Sequence, residues 1–421
     1  MHLVATQPIA PGTLIMQEPP LACVVDDDKL NLLCSTCFRE NAELRCSSCT
    51  VNHYCNVSCQ RKDWKIHKLE CKGFKKIAPN IPNISTRIIS RILYLAYLQP
   101  SVLDGVGQAG KRKQEGLGSL LSHKSDIPQD ALIAFGNIIY RLKFIMEHEQ
   151  LRPASTMMEL YCIYASNCMA VCNDEYVNTG VALYPLLSSV NHSCKANACV
   201  VFDGPQAKLI SCQPINAGEQ IFISYVESFT GIAPRKSLLK SNYFFDCRCE
   251  WCTGNDPFGF IRCKCGEKAN NHAECANCGR LNNIPSLEIK DPTISTAMLE
   301  ELYLNAKRQL WDTNSELFEI RREYFHRVLR DQSYEKCYKL AIELANSFVE
   351  VYGEWYPLTS IYNYYVFKTA QHVYNAEAME AAKLYGTKAC STLKSTHGGL
   401  LYERANQELR MFIADMNMYR K

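Results

Sequence analysis

Nowhere does this 421-residue chain hold the eighteen or so consecutive apolar residues that a membrane-spanning helix needs. Met1 to Met16 also lacks the basic start and apolar run of a secretory leader, so the expected setting is the cell interior, in cytoplasm and nucleus. Charge of one sign is lacking too. The net charge of +3 supplies no field that would demand a nucleic acid or a membrane surface as main partner, and a monomer is expected. What the chain does have is apolar mass, 47% of its residues, enough for a sizeable core in roughly two to four structural units.

It also has 23 cysteines. Most fall in C-x-C, C-x2-C and C-x3-C pairs without a leader, the pattern of thiolate metal sites in a reducing compartment rather than of a disulfide framework. Thiolates two or three residues apart can grip one tetrahedral ion, because the intervening turn brings both sulfurs to one side. Cys34, Cys37, Cys46, Cys49, Cys55, Cys59, His67 and Cys71 form four such pairs, and eight ligands fit two zinc ions, with the pairing left open by the sequence. The last two pairs have helical spacing, whereas the C-x2-C pairs suit knuckle turns. So short a segment has too small a core to fold unaided, so metal supplies much of its stability. Its basic end, Lys62, Lys65, Lys68 and Lys72, is diluted by Asp63 and Glu70 and reads as a solvated helix face rather than a nucleic-acid site.

Two more sets follow. Cys194 with Cys247, Cys249 and Cys252 offers four thiolates for a third zinc. Cys263, Cys265, Cys275 and Cys278 lie beside Gly266 and Gly279, the turn chemistry of a zinc ribbon and a fourth zinc, in which His272 could replace one ligand. The remaining cysteines, such as Cys162, Cys199 and Cys337, lack paired spacing and read as buried thiols.

Between the cysteine sets the periodicity is mixed. Apolar residues recur at helical spacing over Ile84–Tyr97 and Leu132–Met146, with a glycine-rich polar loop, Gly105–Gly118 carrying Lys111-Arg112-Lys113, between them. Short apolar runs punctuated by glycine, Thr13–Met16, Ala198–Phe202, Lys208–Cys212 and Gln220–Ser224, read as strands of small sheets. After about Pro292 the chain is all helix. Val351-Tyr352-Gly353 and Thr396-His397-Gly398 end two units of a repeat, as in stacked helix pairs that leave a groove. The fold class is α+β.

The densest motif is Ser189-Val190-Asn191-His192-Ser193-Cys194, followed by Ile221-Phe222-Ile223-Ser224-Tyr225, then Tyr243, Phe245 and the cysteines from Cys247. An Asn-His-Ser-Cys tetrad, an apolar strand ending in Tyr and a closing C-x-C-x2-C resembles the catalytic heart of a SET-domain methyltransferase. The Cys34–Cys71 segment, with Tyr54-Cys55 and Gln60 before Trp64, resembles a MYND zinc finger along its whole length. The order of these motifs, with the helical tail behind them, is similar to that of the SET-and-MYND lysine methyltransferases across nearly the whole chain.

That resemblance implies a split SET domain with its first part at 1–33, the finger at 34–71, a helical insert at 72–160, the core SET domain at 161–246, a post-SET and extra zinc segment at 247–282, and a tetratricopeptide-like tail at 283–421. It implies an enzyme that transfers methyl from S-adenosylmethionine to lysine in histone or other proteins. Tyr225 would face the reacting amine, Tyr243 would line the lysine channel and Phe245 would pack on the cofactor. Asn191, His192, Asn167 in Ala165-Ser166-Asn167-Cys168, and His123 after Leu120-Leu121-Ser122 would complete the cofactor pocket. In the finger the resemblance assigns Cys34, Cys37, Cys55 and Cys59 to one ion and Cys46, Cys49, His67 and Cys71 to the other, and it implies a docking surface for proline-containing peptides.

The chemistry agrees with these residue types. Methyl transfer needs donor and amine on one axis and an uncharged lysine, and an aromatic, water-poor channel lowers a lysine pKa. One departure stands out: the family opens its SET domain with a Gly-x-Gly loop around the cofactor, and this sequence starts with Met1-His2-Leu3 after the place of that loop. Two readings are therefore carried, the methyltransferase and an adaptor in which the finger and tail recruit partners on a SET scaffold, as in transcriptional repression.

Overall fold

The computed structural model describes residues 3–106, 116–254, 256–287, 289, 291, 293–397 and 399–419, with side chains as far as 416. Lys111-Arg112-Lys113 and Gly398 lie outside the described residues.

The N-terminal part supplies β1 (Leu14–Glu18) and β2 (Ala22–Val25), and the finger supplies β3 (Leu44–Arg45), β4 (His53–Tyr54) and α1 (Val57–Ile77). Asn56 starts α1 by accepting the Cys59 N–H at 2.9 Å, so the C-x3-C spacing sits on the first helical turn. The insert holds α2 (Ile84–Leu98), α3 (Gln129–Ile145) and α4 (Ala154–Asn167). Both helices read from the periodicity are present, and Ile88, Ile92 and Leu142 are fully buried, each worth roughly 2 kcal/mol of transfer free energy. The expected insert boundary at 160 falls inside α4, one uninterrupted helix that begins in the insert and ends beside the site.

The core adds β5 (Met169–Cys172), β6 (Asn178–Leu183), β7 (Asn191–His192), β8 (Ala198–Asp203), β9 (Gln206–Ser211) and β10 (Phe222–Ile223). The strands form small sheets ordered β1-β9-β8 and β2-β6-β5, with β7 and β10 paired parallel in register Phe222↔Asn191 and Ile223↔His192. The run Gln220–Ser224 thus shrinks to a two-residue strand, held by Asn197, whose side chain donates to the Gln220 carbonyl and accepts the Phe222 N–H at 2.8 Å.

Beyond the core come α5 (Ile232–Tyr243), α6 (Glu250–Thr253), the hairpin β11 (Phe260–Arg262) and β12 (Lys268–Asn270), then the tail helices α7 (Thr296–Gln309), α8 (Ser315–Arg330), α9 (Tyr334–Tyr352), α10 (Pro357–Ala370), α11 (Ala376–Thr396) and α12 (Gly399–Tyr419). Each tail helix packs on the next, the stacking expected of helix pairs. One apolar cluster runs from Cys194 and Trp251 through Phe258 and Ile261 to Phe318, Phe348 and Tyr352, so the segments on either side of residue 282 share a core. At the far side the tail is clasped to the SET core: Gly12, at φ +77°, lies under the Trp355 ring, Gln213 donates to the Tyr352 carbonyl at 2.5 Å, and the Ser228 and Tyr356 hydroxyls meet at 2.7 Å.

Candidate active site and metal centres

The parallel pairing of β7 with β10 brings Asn191 and His192 beside the strand that leads into Tyr225. His192 Nδ1 accepts the Tyr225 N–H at 2.9 Å, so Nε2 carries the proton and points at Cys194 Sγ, 3.3 Å away. Burial holds this imidazole neutral, with a pKa pushed down to about 4. Both ring nitrogens are thus engaged within the protein, which leaves the ring face and the backbone of His192 for a ligand. The same imidazole ties the tyrosine segment to a cysteine of the third thiolate set.

Tyr225 directs its hydroxyl to the Val190 carbonyl at 2.6 Å, and burial with the neighbouring Tyr243 pushes its pKa up to about 12. Its ring meets Tyr243 at 4.7 Å, His192 at 5.2 Å and Phe245 edge-on at 6.4 Å. These contacts depend on the turn at the end of α5, where Phe244 adopts φ 63°, a left-handed conformation uncommon for a side chain of this size. That turn sets Tyr243 and Phe245 toward Tyr225 and sends Phe244 to His123, with ring centroids 5.2 Å apart. His123 therefore touches the aromatic flap and also lines the cleft.

Asn167 ends α4 and lines the cleft as expected, but both N–H bonds of its amide are committed, to the carbonyls of Leu121 at 2.8 Å and Ile163 at 2.9 Å. Only its side-chain oxygen remains for a ligand. Sequence reasoning missed three supports. Buried Glu18 accepts the N–H groups of Leu186 and Leu187 at 3.0 and 2.8 Å, Ser188 donates to the Asn167 carbonyl at 3.0 Å, and Asn197 holds β10. An Asn three residues beyond the tetrad was a visible signal for the last; the others required the fold.

All these residues border one cleft of about 1410 Å³ that extends from Asn191 and Tyr225 to the tail residues Glu319, Arg322 and Tyr362. Small-molecule sites usually occupy about 300–1,000 Å³, so there is room for a cofactor and a polymer segment together. Among its walls, Ser166 Oγ is buried with no hydrogen-bond partner among the described residues.

Four groups of four bring their ligand atoms within 4.8 Å of one another: Cys34, Cys37, Cys55 and Cys59; Cys46, Cys49, His67 and Cys71; Cys194, Cys247, Cys249 and Cys252; and Cys263, Cys265, Cys275 and Cys278. The interleaved finger pairing is the one the resemblance implied, and His272 is not in the last set. A tetrahedral ion with metal–sulfur bonds of ~2.3 Å needs sulfurs ~3.8 Å apart. The structure gives 3.7 Å for Cys37–Cys55, 3.7 Å for Cys46–Cys71 and 3.9 Å for Cys194–Cys247, with Cys49 Sγ 3.5 Å from His67 Nε2. Behind the second finger set, His67 faces Glu70, and Arg91 of α2 bonds Glu70 at 2.8 Å, Asp63 at 2.6 Å and the Cys23 carbonyl at 3.0 Å. This buried ion cluster ties the finger to the insert and to β2.

The SET domain family matches residues 1–226 of this sequence. The chain belongs to the SET-domain family. Among curated relatives, human (Homo sapiens) histone-lysine N-methyltransferase SMYD3 is 31% identical over 260 residues, 60% of this chain and 59% of its own length. Rat (Rattus norvegicus) N-lysine methyltransferase SMYD2 is 26% identical over 381 residues, 85% of this chain and 83% of its own length. The SET domain and MYND-type zinc finger protein 6 of Schizosaccharomyces pombe is 30% identical over 252 residues, 59% of this chain and 49% of its own length. The chain thus spans about three-fifths of the human relative's length. The SET-and-MYND likeness read from the motif order is borne out by these relatives.

Proposed function

We propose that this SET-domain protein is a protein-lysine N-methyltransferase using S-adenosylmethionine, acting on histone or non-histone proteins. The observation that carries the reading is the aromatic box: Tyr225 packs against Tyr243, His192 and Phe245, and His192 against Phe245, beside the Asn191–His192 strand. When bound, S-adenosylmethionine supplies an electrophilic methyl group on a sulfonium. Asn191, the ring face of His192, Phe245, the Asn167 side-chain oxygen and the Ser166 hydroxyl are the groups that would hold it, and they offer the donors, acceptors and flat surfaces its amine, carboxylate and adenine need.

The chain's own residues prepare the amine. Tyr243 and Tyr225 exclude water from a lysine side chain and so favour its neutral, nucleophilic form. Because the Tyr225 proton goes to the Val190 carbonyl, the phenol oxygen keeps its remaining lone pairs for an amine N–H or a methyl group. Holding both reactants on one axis is the other contribution, since orientation alone can lower a bimolecular barrier by roughly 7–11 kcal/mol.

Zinc held at the two finger sets and at Cys194, Cys247, Cys249 and Cys252 would complete the reading; an ion at the last set would anchor the tetrad to the segment behind Phe245. The finger would accept proline-containing peptides and so bring partners to the enzyme. Calorimetric titration of S-adenosylhomocysteine into the zinc-loaded chain tests the pocket, beside an Asn191→Ala, His192→Ala variant. Binding lost in the variant supports the reading; no binding to a folded, metal-loaded chain sinks it and leaves the adaptor.

A further inference from the structure

The fourth thiolate set lies away from the cleft, and catalysis as described above does not use it. Its sulfurs nevertheless have metal spacing: Cys263–Cys278 is 3.6 Å and Cys265–Cys275 is 3.7 Å, far beyond a disulfide bond and close to the ~3.8 Å edge of a zinc–thiolate tetrahedron. The backbone repeats the knuckles of the finger. There the Phe38 N–H returns to the Cys34 carbonyl and the Thr50 N–H to that of Cys46, both at 2.9 Å, with Phe38 at φ 58° and Thr50 at φ 59°. Here the Gly279 N–H returns to the Cys275 carbonyl and the Gly266 N–H to that of Cys263, both at 2.8 Å, with φ 67° and 92°. The Cys275 turn thus has the four-residue return of the finger knuckles, and the Cys263 turn a tighter three-residue one.

This hairpin is also bonded into the tail. The Trp311 N–H and the Asn314 side chain both donate to the Phe260 carbonyl, at 3.2 and 2.9 Å, and the Ser315 N–H donates to that of Phe258 at 3.0 Å. Arg262 pairs with Asp312 and lies 4.8 Å over the Trp311 ring. Asp312 in turn accepts from fully buried Arg321 of α8, the helix that presents Glu319 and Arg322 to the cleft.

We propose that Cys263, Cys265, Cys275 and Cys278 hold a resident zinc ion that braces the α7–α8 turn and thereby sets the helical wall of the cleft. The ion is remote from the proposed chemistry, so its count does not depend on methyl transfer. Native mass spectrometry of the full chain, purified with zinc, should show four ions, and three in a Cys263→Ser, Cys275→Ser variant. Should that variant not fold, Cys278→Ser, whose side chain is exposed, makes the same comparison. Three ions in the parent chain, or four in the variant, would overturn the site. Hydrogen exchange tests the brace: amides around Asp312–Phe318 should exchange about tenfold faster in the variant while those of β7 and β10 do not change, and unchanged exchange at Asp312–Phe318 refutes it.

Discussion

The Tyr225 hydroxyl and the Val190 carbonyl are joined by a 2.6 Å hydrogen bond, so this cleft-lining phenol is fixed from the chain segment that leads into the Asn191–His192 strand. Tyr225→Phe removes the oxygen while leaving the ring contacts to Tyr243 and His192 in place. Methyl transfer to a protein substrate should fall by about a hundredfold or more, with S-adenosylhomocysteine affinity kept within about threefold. Single-turnover assays beside calorimetry check this, and retained turnover would remove the hydroxyl from the proposed chemistry.

Cys249 is the half-exposed member of its thiolate set, and the segment it anchors lies four residues behind Phe245. Cys249→Ser should release one zinc and weaken S-adenosylhomocysteine binding by roughly 10–100-fold, because loss of the anchor lets the aromatic turn at Phe244 relax. Metal content and calorimetry on the same preparation would show whether the two losses go together.

Arg91 is buried between Asp63 and Glu70, and its guanidinium is the cation that neutralises both. Arg91→Met fills much of the volume but leaves two carboxylates buried without it, which should cost about 3–5 kcal/mol. Thermal unfolding should shift down by several degrees, with zinc of the second finger set released first. Replacement without loss of melting temperature would show that the cluster is not structural.

Gly12 accepts the Trp355 ring where a Cβ would lie 2.3 Å from it, at a φ of +77°. Gly12→Ala combines that clash with a strained backbone, roughly 2–4 kcal/mol together. We expect a looser clasp between core and tail, seen as faster hydrogen exchange at Tyr352–Tyr356 and a raised KM for protein substrates with little change in cofactor affinity.

His397 closes α11 in an apolar setting, its Nδ1 2.8 Å from the Thr396 hydroxyl, and burial pushes its pKa down to about 4. The unfolded chain takes up a proton near pH 6.5, whereas the folded one resists it until about pH 4. Stability should therefore fall as pH drops through that window, by up to about 3 kcal/mol, and level off below it. A His397→Gln variant should flatten this part of the melting-temperature profile; an equally steep profile would place the acid sensitivity elsewhere.

Much of the site was legible because its chemistry obeys local spacing. Cysteine pairs announce themselves within four residues, and the tetrad and Tyr225 sit at the ends of one short parallel pairing. Spacing could not show that Arg91, inside an apolar helical period, is the ion partner of two finger carboxylates, since that depends on how α1 meets α2. Nor could it show Phe244 in a left-handed turn against His123, or an α4 that runs through an expected boundary, because tertiary contacts decide both. The cleft is the clearest case: one wall comes from the SET core and the other from α8 to α10, which begin some seventy residues beyond Phe245.

The bond from the Thr13 N–H to the Ser211 hydroxyl, 198 residues apart, and the pairing of β1 with β9 beside it set a timetable for synthesis. At roughly 5–20 residues per second, the first strand leaves the ribosome about ten to forty seconds before its partner exists. During that interval the finger and the insert can fold, while β1 waits as an unpaired edge. Chaperone access in that window, rather than the finished protein's stability, would then govern how much of the newly made chain reaches a working form.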